Sequence, residues 1–299
     1  MKIPFGKYKG KSLEALSSDL SYVQWMLEQD WVGQKYPDLQ KALSVFYKEQ
    51  PKEQGKKALD NKTNFLLSFA LKDDEIESFD QYPFSLPVVK KLNRTIFHPH
   101  VTYIIGENGS GKSTLLEALA ISQGFNAEGG TSNFRFSTHA THSKLHEFLR
   151  ISKGIKKPQT GFFLRAESFY NVATEIENLG VLDSYGNKSL HEQSHGEAFL
   201  ALMTNRFGDN GLYILDEPEA ALSPNRQLSI LTLMHNLIKR GSQFIISTHS
   251  PILLAYPSST IYEIGDNGLQ ETTYEETQTF EITQRFLNNH QMMLDVLLE

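Results

Sequence analysis

The fourteen residues "YIIGENGSGKSTLL", Tyr103 to Leu116, leave few folds open to this chain. Three β-forming residues lead into a turn with glycines at 106, 109 and 111, and the apolar spacing beyond Ser113 is helical. A strand that turns through three glycines into a helix aims successive backbone N–H groups at one point, and the helix adds its positive N-terminal end. The spacing is that of a P-loop, and the flanking strand and helix disfavour a turn without a ligand. In this pattern Gly106, Asn108, Gly109, Ser110 and Gly111 form a phosphate cradle, continued by Thr114 in the helix. Lys112 supplies a compact cation to the β and γ phosphates, and the Ser113 hydroxyl completes a Mg2+ shell.

Further along, "GLYILDEPEA" is a buried-strand pattern that delivers Asp216 and Glu217 to its C-terminal end, where ligands of open α/β sheets bind. Of two adjacent acids in that position, Asp216 suits the metal, and Glu217 suits the water that attacks the γ-phosphate. "SQFIISTHSP" repeats the arrangement, with His249 after a buried strand and before Pro251. Strand-like runs carrying apolar residues throughout alternate with helical patterns such as "STLLEALAIS", "GEAFLALMTNRF" and "RQLSILTLMHNLIKR". That alternation predicts an α/β fold with a mostly parallel sheet covered by helices on both faces.

Between these motifs lies "SLHEQSHGEAFLAL", in which Ser194, His195 and Gly196 precede an apolar helical pattern and Glu197 falls in the first turn. A hydroxyl, a glycine and a helix start make an anion site that is incomplete alone. A helix-capping acid is an equally good reading of Glu197.

The order "GENGSGKS", "SHGE", "YILDEPE", "ALSP", "STHS" resembles the ATP-binding cassette (ABC) class of P-loop ATPases over residues 64–299. The resemblance implies ATP and Mg2+ as cofactors, ATP hydrolysis with Glu217 and His249 as catalytic residues, and a homodimer closed by nucleotide. It also implies that Ser194, Gly196 and their helix grip the γ-phosphate held by a second protomer, with "ALSP", residues 221–224, along the seam. His195 departs from the class, which usually has glycine there. Where the class usually has a glutamine, this chain has "GFFLRAESF"; Arg165 and Glu167 take that place as nucleotide-site candidates, with a salt-bridged strand end as the plain alternative and Gln159 upstream. Tyr82, Phe84 and Phe97 are candidates to stack on adenine, and core packing explains each as well. Stretches such as "FLRAESFYNVATEIE" and "STHSPILLAYP" are similar to compact bacterial ATPases of SMC-like and RecF-like character. That likeness implies nucleotide-driven dimerisation and supplies no substrate; the favoured function is an ATP-dependent switch in nucleic-acid metabolism, repair or phage defence. A transporter's ATPase subunit, and an ATPase controlling a separate effector or nuclease, are the alternatives.

Residues 1–50 form a separate small module, joined by the polar stretch 51–63. It resembles the C-terminal module of exonuclease X-like proteins. Its loop sets Lys7, Lys9 and Lys11 around Tyr8, with Trp25 and Trp31 following; this suits a DNA or RNA backbone, although a 50-residue module needs most of its aromatics for its own core. Residues 124–161 hold six basic residues (Arg135, Lys144, Arg150, Lys153, Lys156, Lys157) against Glu128 and Glu147, a second candidate surface for nucleic acid or a protein effector. His139, His142 and His146, in a chain without cysteine, make a weak metal site. The net charge of −6 excludes a protein that coats nucleic acid over its whole surface, and the absence of cysteine excludes thiolate chemistry. No apolar run is long enough to span a bilayer, and the polar start predicts a cytoplasmic location.

Overall fold

The computed structural model describes residues 3–16, 23, 26, 27, 29–49, 64–131, 143–178, 189 and 191–299. The chain divides into two compact units at residues 58 and 59, inside the expected 51–63 link, which itself lies outside the described residues together with Trp25, Arg135, His139 and His142. The boundary falls where the sequence loses its apolar period.

The first unit carries two short 3-10 turns, Gly6–Tyr8 and Leu13–Leu16, and the helices α1 (Asp30–Lys35) and α2 (Pro37–Glu49). Ile3, Leu16, Val23, Met26, Leu39 and Leu43 fill its centre. Phe5 stacks on Tyr36 at 5.3 Å and tilts against Trp31 at 4.7 Å. Most of these rings cover the core, as the unit's size demands, and Trp31 remains 41% exposed.

In the second unit a six-stranded sheet has the order β5-β6-β7-β3-β8-β9: β3 (Val101–Ile105), β5 (Thr160–Arg165), β6 (Gly211–Asp216), β7 (Gln243–Ser247), β8 (Ser259–Gly265) and β9 (Gly268–Thr272). All neighbours are parallel except the β8–β9 hairpin. Successive residues of a strand face opposite sides, and the two cores follow that alternation. Tyr103, Tyr213 and Leu215 face one core, Ile104, Leu212 and Ile214 the other. The first core is closed by α5 (Phe169–Asn178), α6 (His195–Arg206), α7 (Pro224–Lys239) and the short α8 (Pro251–Leu254). The second lies against α4 (Lys112–Ser122) and a three-stranded antiparallel sheet of order β2-β1-β4: β1 (Leu66–Leu71), β2 (Thr95–Ile96) and β4 (Leu149–Lys153). Between β1 and β2 comes the single-turn α3 (Pro87–Lys90), and α9 (Gln278–Leu298) follows the hairpin.

The antiparallel sheet takes in part of the basic stretch 124–161. Arg150 and Lys153 stand on β4, the edge strand, which pairs with β1 through Phe69↔Ile151 and Leu71↔Leu149. One buried side chain joins the two sheets. The Gln243 carboxamide accepts from the N–H groups of Phe65 (3.2 Å) and Leu66 (3.0 Å) and donates to the carbonyls of Leu66 (2.9 Å) and His98 (3.0 Å).

Candidate active site

The P-loop leaves β3 at Gly106 (φ +152°), passes Gly109 (φ +80°) and enters α4 from Gly111 (φ +100°). Gly111 is required twice over: its φ lies in the left-handed region, and a Cβ there would come within 2.7 Å of Val88 Cγ1 on α3. The Lys112 ammonium, buried under the loop, donates to the carbonyls of Gly106 (2.8 Å) and Glu107 (3.0 Å). Burial pushes its pKa below the usual lysine range, against the opposing pull of Glu217, Asp216 and Glu219. The Ser110 hydroxyl is buried without a hydrogen-bond partner.

β6 and β7 run in register, with Asp216 beside Ser247. Asp216 is 5% exposed; its Oδ1 accepts from the Ser247 hydroxyl (2.5 Å) and lies 3.3 Å from Ser113 Oγ. Burial raises its pKa, and the Ser247 hydrogen bond, Arg165 and Ser113 counter the shift. Glu217, one residue past the strand, adopts a left-handed conformation (φ +50°, ψ +53°), uncommon for a residue with a long side chain. Its N–H donates to the Ser247 carbonyl (3.1 Å), and the turn swings its carboxylate to 3.6 Å from His249 Nε2. That nitrogen is buried and makes no hydrogen bond. Glu219 holds the histidine from below: its Oε1 accepts from the His249 N–H, and burial raises its pKa.

These groups fit a magnesium nucleotide. Three positive-φ glycines and a helix start form the cradle, an unpartnered hydroxyl and a buried ammonium line it, and a hydroxyl and a carboxylate 3.3 Å apart offer hard oxygen ligands. A cavity of about 920 Å3 opens against the outer side of the loop, lined by residues 106–110, Lys90, Lys91 and the β8–β9 hairpin.

Comparison with known proteins agrees with that chemistry. A family model described as "AAA domain" matches residues 75–177, and one described as "AAA domain, putative AbiEii toxin, Type IV TA system" matches 181–255. A ribose import ATP-binding protein of Bacillus cereus is 26% identical over 250 residues, 71% of this chain and 49% of that protein. An energy-coupling factor transporter ATP-binding protein of Leuconostoc mesenteroides is 24% identical over 54% of this chain and 64% of that one. The chain thus spans less than two thirds of either relative. The likeness is to ABC-type ATP-binding proteins. Among solved structures, the SMC head domain from Thermotoga maritima is 17% identical, with a TM-score of 0.39 over 70% of this chain and 98% of that one.

Around this P-loop the remaining candidates separate. Ser194 caps α6, and Glu197 completes a capping box: its Oε2 accepts from the Ser194 N–H (3.0 Å) and hydroxyl (2.6 Å). Arg226 on α7 binds both residues, at 3.3 Å from Glu197 Oε1 and 3.3 Å from Ser194 Oγ. Glu197 is therefore a helix-capping acid, one of the two readings its position allows. Gly196 is buried at the start of the helix; His195 is helical in backbone, and its side chain lies outside the described residues.

Arg165 ends β5 beside Asp216. Its guanidinium pairs with Glu117 (2.7 Å), Glu167 (3.4 Å) and Asp216 (3.8 Å), so it is both a salt-bridged strand end and a neighbour of the metal-binding acid. Gln159 precedes β5 at the opposite end of the strand, and Glu167 is largely exposed. Of the aromatic candidates, Phe97 is buried against Phe69 and Phe84 packs edge-on against Phe148. Tyr82 is 62% exposed, with its hydroxyl 3.4 Å from Thr114 Oγ1.

Sequence reasoning missed Glu117, Ser247, Glu219 and Arg226. Ser247 was the most accessible of them, since it ends a strand two residues before His249. Glu117, an acid in an otherwise apolar stretch of α4, was a weaker signal.

Proposed function

We propose that this chain is an ATP-hydrolysing switch that closes as a dimer around Mg-ATP and acts on nucleic acid. The observation that supports it most is the convergence of Ser113, Asp216, Glu217 and His249 at the C-terminal edges of β6 and β7, beside the start of α4. The N–H groups between Gly106 and Thr114 and the Lys112 ammonium hold the phosphates, and Ser113 and Asp216 hold the metal. Bound Mg2+ neutralises phosphate charge and orients the γ-phosphoryl group. Glu217 positions the attacking water and takes its proton, and its left-handed turn sets the carboxylate for that task. His249, fixed by Glu219, donates toward the γ-phosphate from Nε2. Arg165 offsets the charge of Asp216 and Glu117, and Tyr82 covers the base.

Ser194, His195, Gly196 and the start of α6 complete the phosphate site of a second protomer. On this chain the Ser194 hydroxyl is held by Glu197 and Arg226, so that helix start is already ordered when the protomers meet. Lys7, Lys9 and Lys11 around Tyr8 on the first unit, and Arg150, Lys153, Lys156 and Lys157 at the β4 edge, supply cations for a nucleic-acid backbone. The ammonium groups of Lys7 and Lys11 lie 5.4 and 5.5 Å from the Tyr8 ring. A second reading, the ATPase subunit of a transporter, rests on the likeness to import and transporter ATP-binding proteins.

The test is to measure ATP binding and turnover in Lys112→Ala and Glu217→Gln. The first removes the phosphate cation and loses binding; the second keeps binding and loses turnover. Normal hydrolysis by Glu217→Gln overturns the assignment. Pull-down from native cells that recovers a permease instead of nucleic acid favours the second reading.

A further inference from the structure

The first unit keeps one large ring outside its core. Among its described side chains, Phe5, Tyr8, Tyr36 and Phe46 pack against the centre built on Ile3, Leu16 and Leu43, and Trp31 is not among them. A unit of this size needs its aromatics inside, yet this indole stays 41% exposed. Of an indole's roughly 250 Å2 that leaves about 100 Å2 open, the order of one ring face. The remainder is backed by other rings: Phe5 tilts against Trp31 at 4.7 Å, and Tyr36 stacks on Phe5 at 5.3 Å. Cations reach the same place from two elements. Lys35 stands four residues after Trp31 on α1, a neighbouring position on the helix surface, with its ammonium 5.7 Å from the Tyr36 ring. Phe5 precedes Lys7 by two residues, no more than about 7 Å of chain. The turn that follows Phe5 carries exposed Lys7, Lys9 and Lys11. It is tied back to Ile3, whose carbonyl accepts from the Gly10 N–H (2.8 Å) and whose N–H donates to the Lys11 carbonyl (2.9 Å). Residues 3–11 contain no acid.

We infer that the first unit binds single-stranded nucleic acid, with one unpaired base lying on Trp31 and the flanking phosphates on Lys35 and on the turn of Lys7, Lys9 and Lys11. This rests on the nucleic-acid reading above and deepens it by naming the form of the strand. In a duplex both faces of a base are covered by its neighbours, so an open indole face finds nothing there to stack on. An unpaired base offers a free π face whatever its sequence, and a backed, immobile indole loses little freedom in meeting it. The lysines alone would suit any polyanion. The ring beside them selects a polyanion that also carries flat apolar groups at close intervals, which an acidic peptide does not. An anionic lipid surface takes a broad apolar face, wider than a single indole.

The experiment titrates the full chain with labelled oligothymidylate, with oligouridylate, and with a mixed-sequence DNA duplex of the same length, over a range of salt. The wild type prefers the single strands, and the tighter of the two names the strand as DNA or RNA. Trp31→Ala weakens that binding by about five- to a hundredfold and leaves the salt slope as it was, because stacking carries no charge. Replacing Lys7, Lys9 and Lys11 with alanine does the reverse, taking roughly 2 from the slope of log K against log salt, about 0.7 for each phosphate contact. Trp31→Tyr keeps a stacking ring and binds within about threefold of the wild type, which separates stacking from damage to the fold. Bound oligothymidylate quenches the tryptophan emission of the wild type, and Trp31→Tyr binds without that quenching. Equal affinity for duplex and single strand, or a single strand indifferent to Trp31→Ala, overturns the inference and leaves nucleic acid as the partner. Quenching that persists in Trp31→Tyr takes the stack away from this residue. No binding of either form at low salt overturns the inference and the nucleic-acid reading together.

Discussion

Replacing Arg165 with methionine keeps most of the stem's length and removes the cation that faces Glu117, Glu167 and Asp216. Two of these acids are buried, with side chains only 11% and 6% exposed, and Arg165 itself is 19% exposed. Removing one partner of a buried ion pair strands charge in a poor solvent and costs about 3–5 kcal/mol; partial exposure of the guanidinium puts this site near the lower end, about 3 kcal/mol. Glu167, 84% exposed, adds little. Urea unfolding of the full chain, followed by circular dichroism, reads that loss. Adding Glu117→Gln to Arg165→Met removes one stranded carboxylate and recovers part of it, so the two effects do not add. A loss under about 1 kcal/mol, or two strictly additive losses, would show that Arg165 is not the counter-charge of this cluster. If stability survives and turnover alone collapses, the arginine works on the nucleotide and not on its neighbours.

Three further outcomes follow from other parts of the molecule. Ser194→Arg sets a second cation beside Arg226 and blocks the trans site, so it hydrolyses little ATP alone; mixed with Lys112→Ala it regains activity, because one composite site then has an intact P-loop and an intact helix start. Restored turnover on mixing two inactive chains is the readout, and normal turnover by Ser194→Arg alone rejects action in trans. Gln243→Leu takes away four hydrogen bonds, three buried ones to Phe65 and Leu66 at the start of β1 and a part-buried one to His98, and lowers stability by about 3–4 kcal/mol in thermal or urea unfolding, at about 1 kcal/mol each. Nucleic-acid binding measured against salt falls steeply through counterion release, and deleting residues 1–50 flattens the slope; no binding at low salt with or without ATP moves the partner to a protein effector.

Much of the site was legible because its chemistry is local. The P-loop, Asp216–Glu217 and His249 each sit within ten residues of the strand that delivers them, so strand pattern and motif stand side by side in the sequence. The network around them was not legible. Glu117 meets Arg165 across 48 positions and Glu219 meets the His249 backbone across 30, and neither pairing leaves a spacing to read. The antiparallel sheet was hidden for a similar reason: β2 has two residues, and β4 joins β1 from about eighty residues away. Glu197 could be read only as one of two alternatives, since a first-turn acid serves a cap and a binding site equally well until Arg226 is seen beside it.

The central strand of the large sheet has a temporal consequence. β3 delivers the P-loop early in the chain, yet its neighbours are β7 and β8, with Tyr103 opposite Ile246 on one side and Ile261 on the other. A ribosome adding roughly 5–20 residues per second needs on the order of ten seconds or more to make what lies between. For that interval the glycine turn has no sheet to hold it and its apolar strand has no flanking partners. The nascent chain therefore cannot engage nucleotide until its last third has emerged, and a chaperone that shields Val101 to Ile105 during synthesis guards the strand with the longest wait.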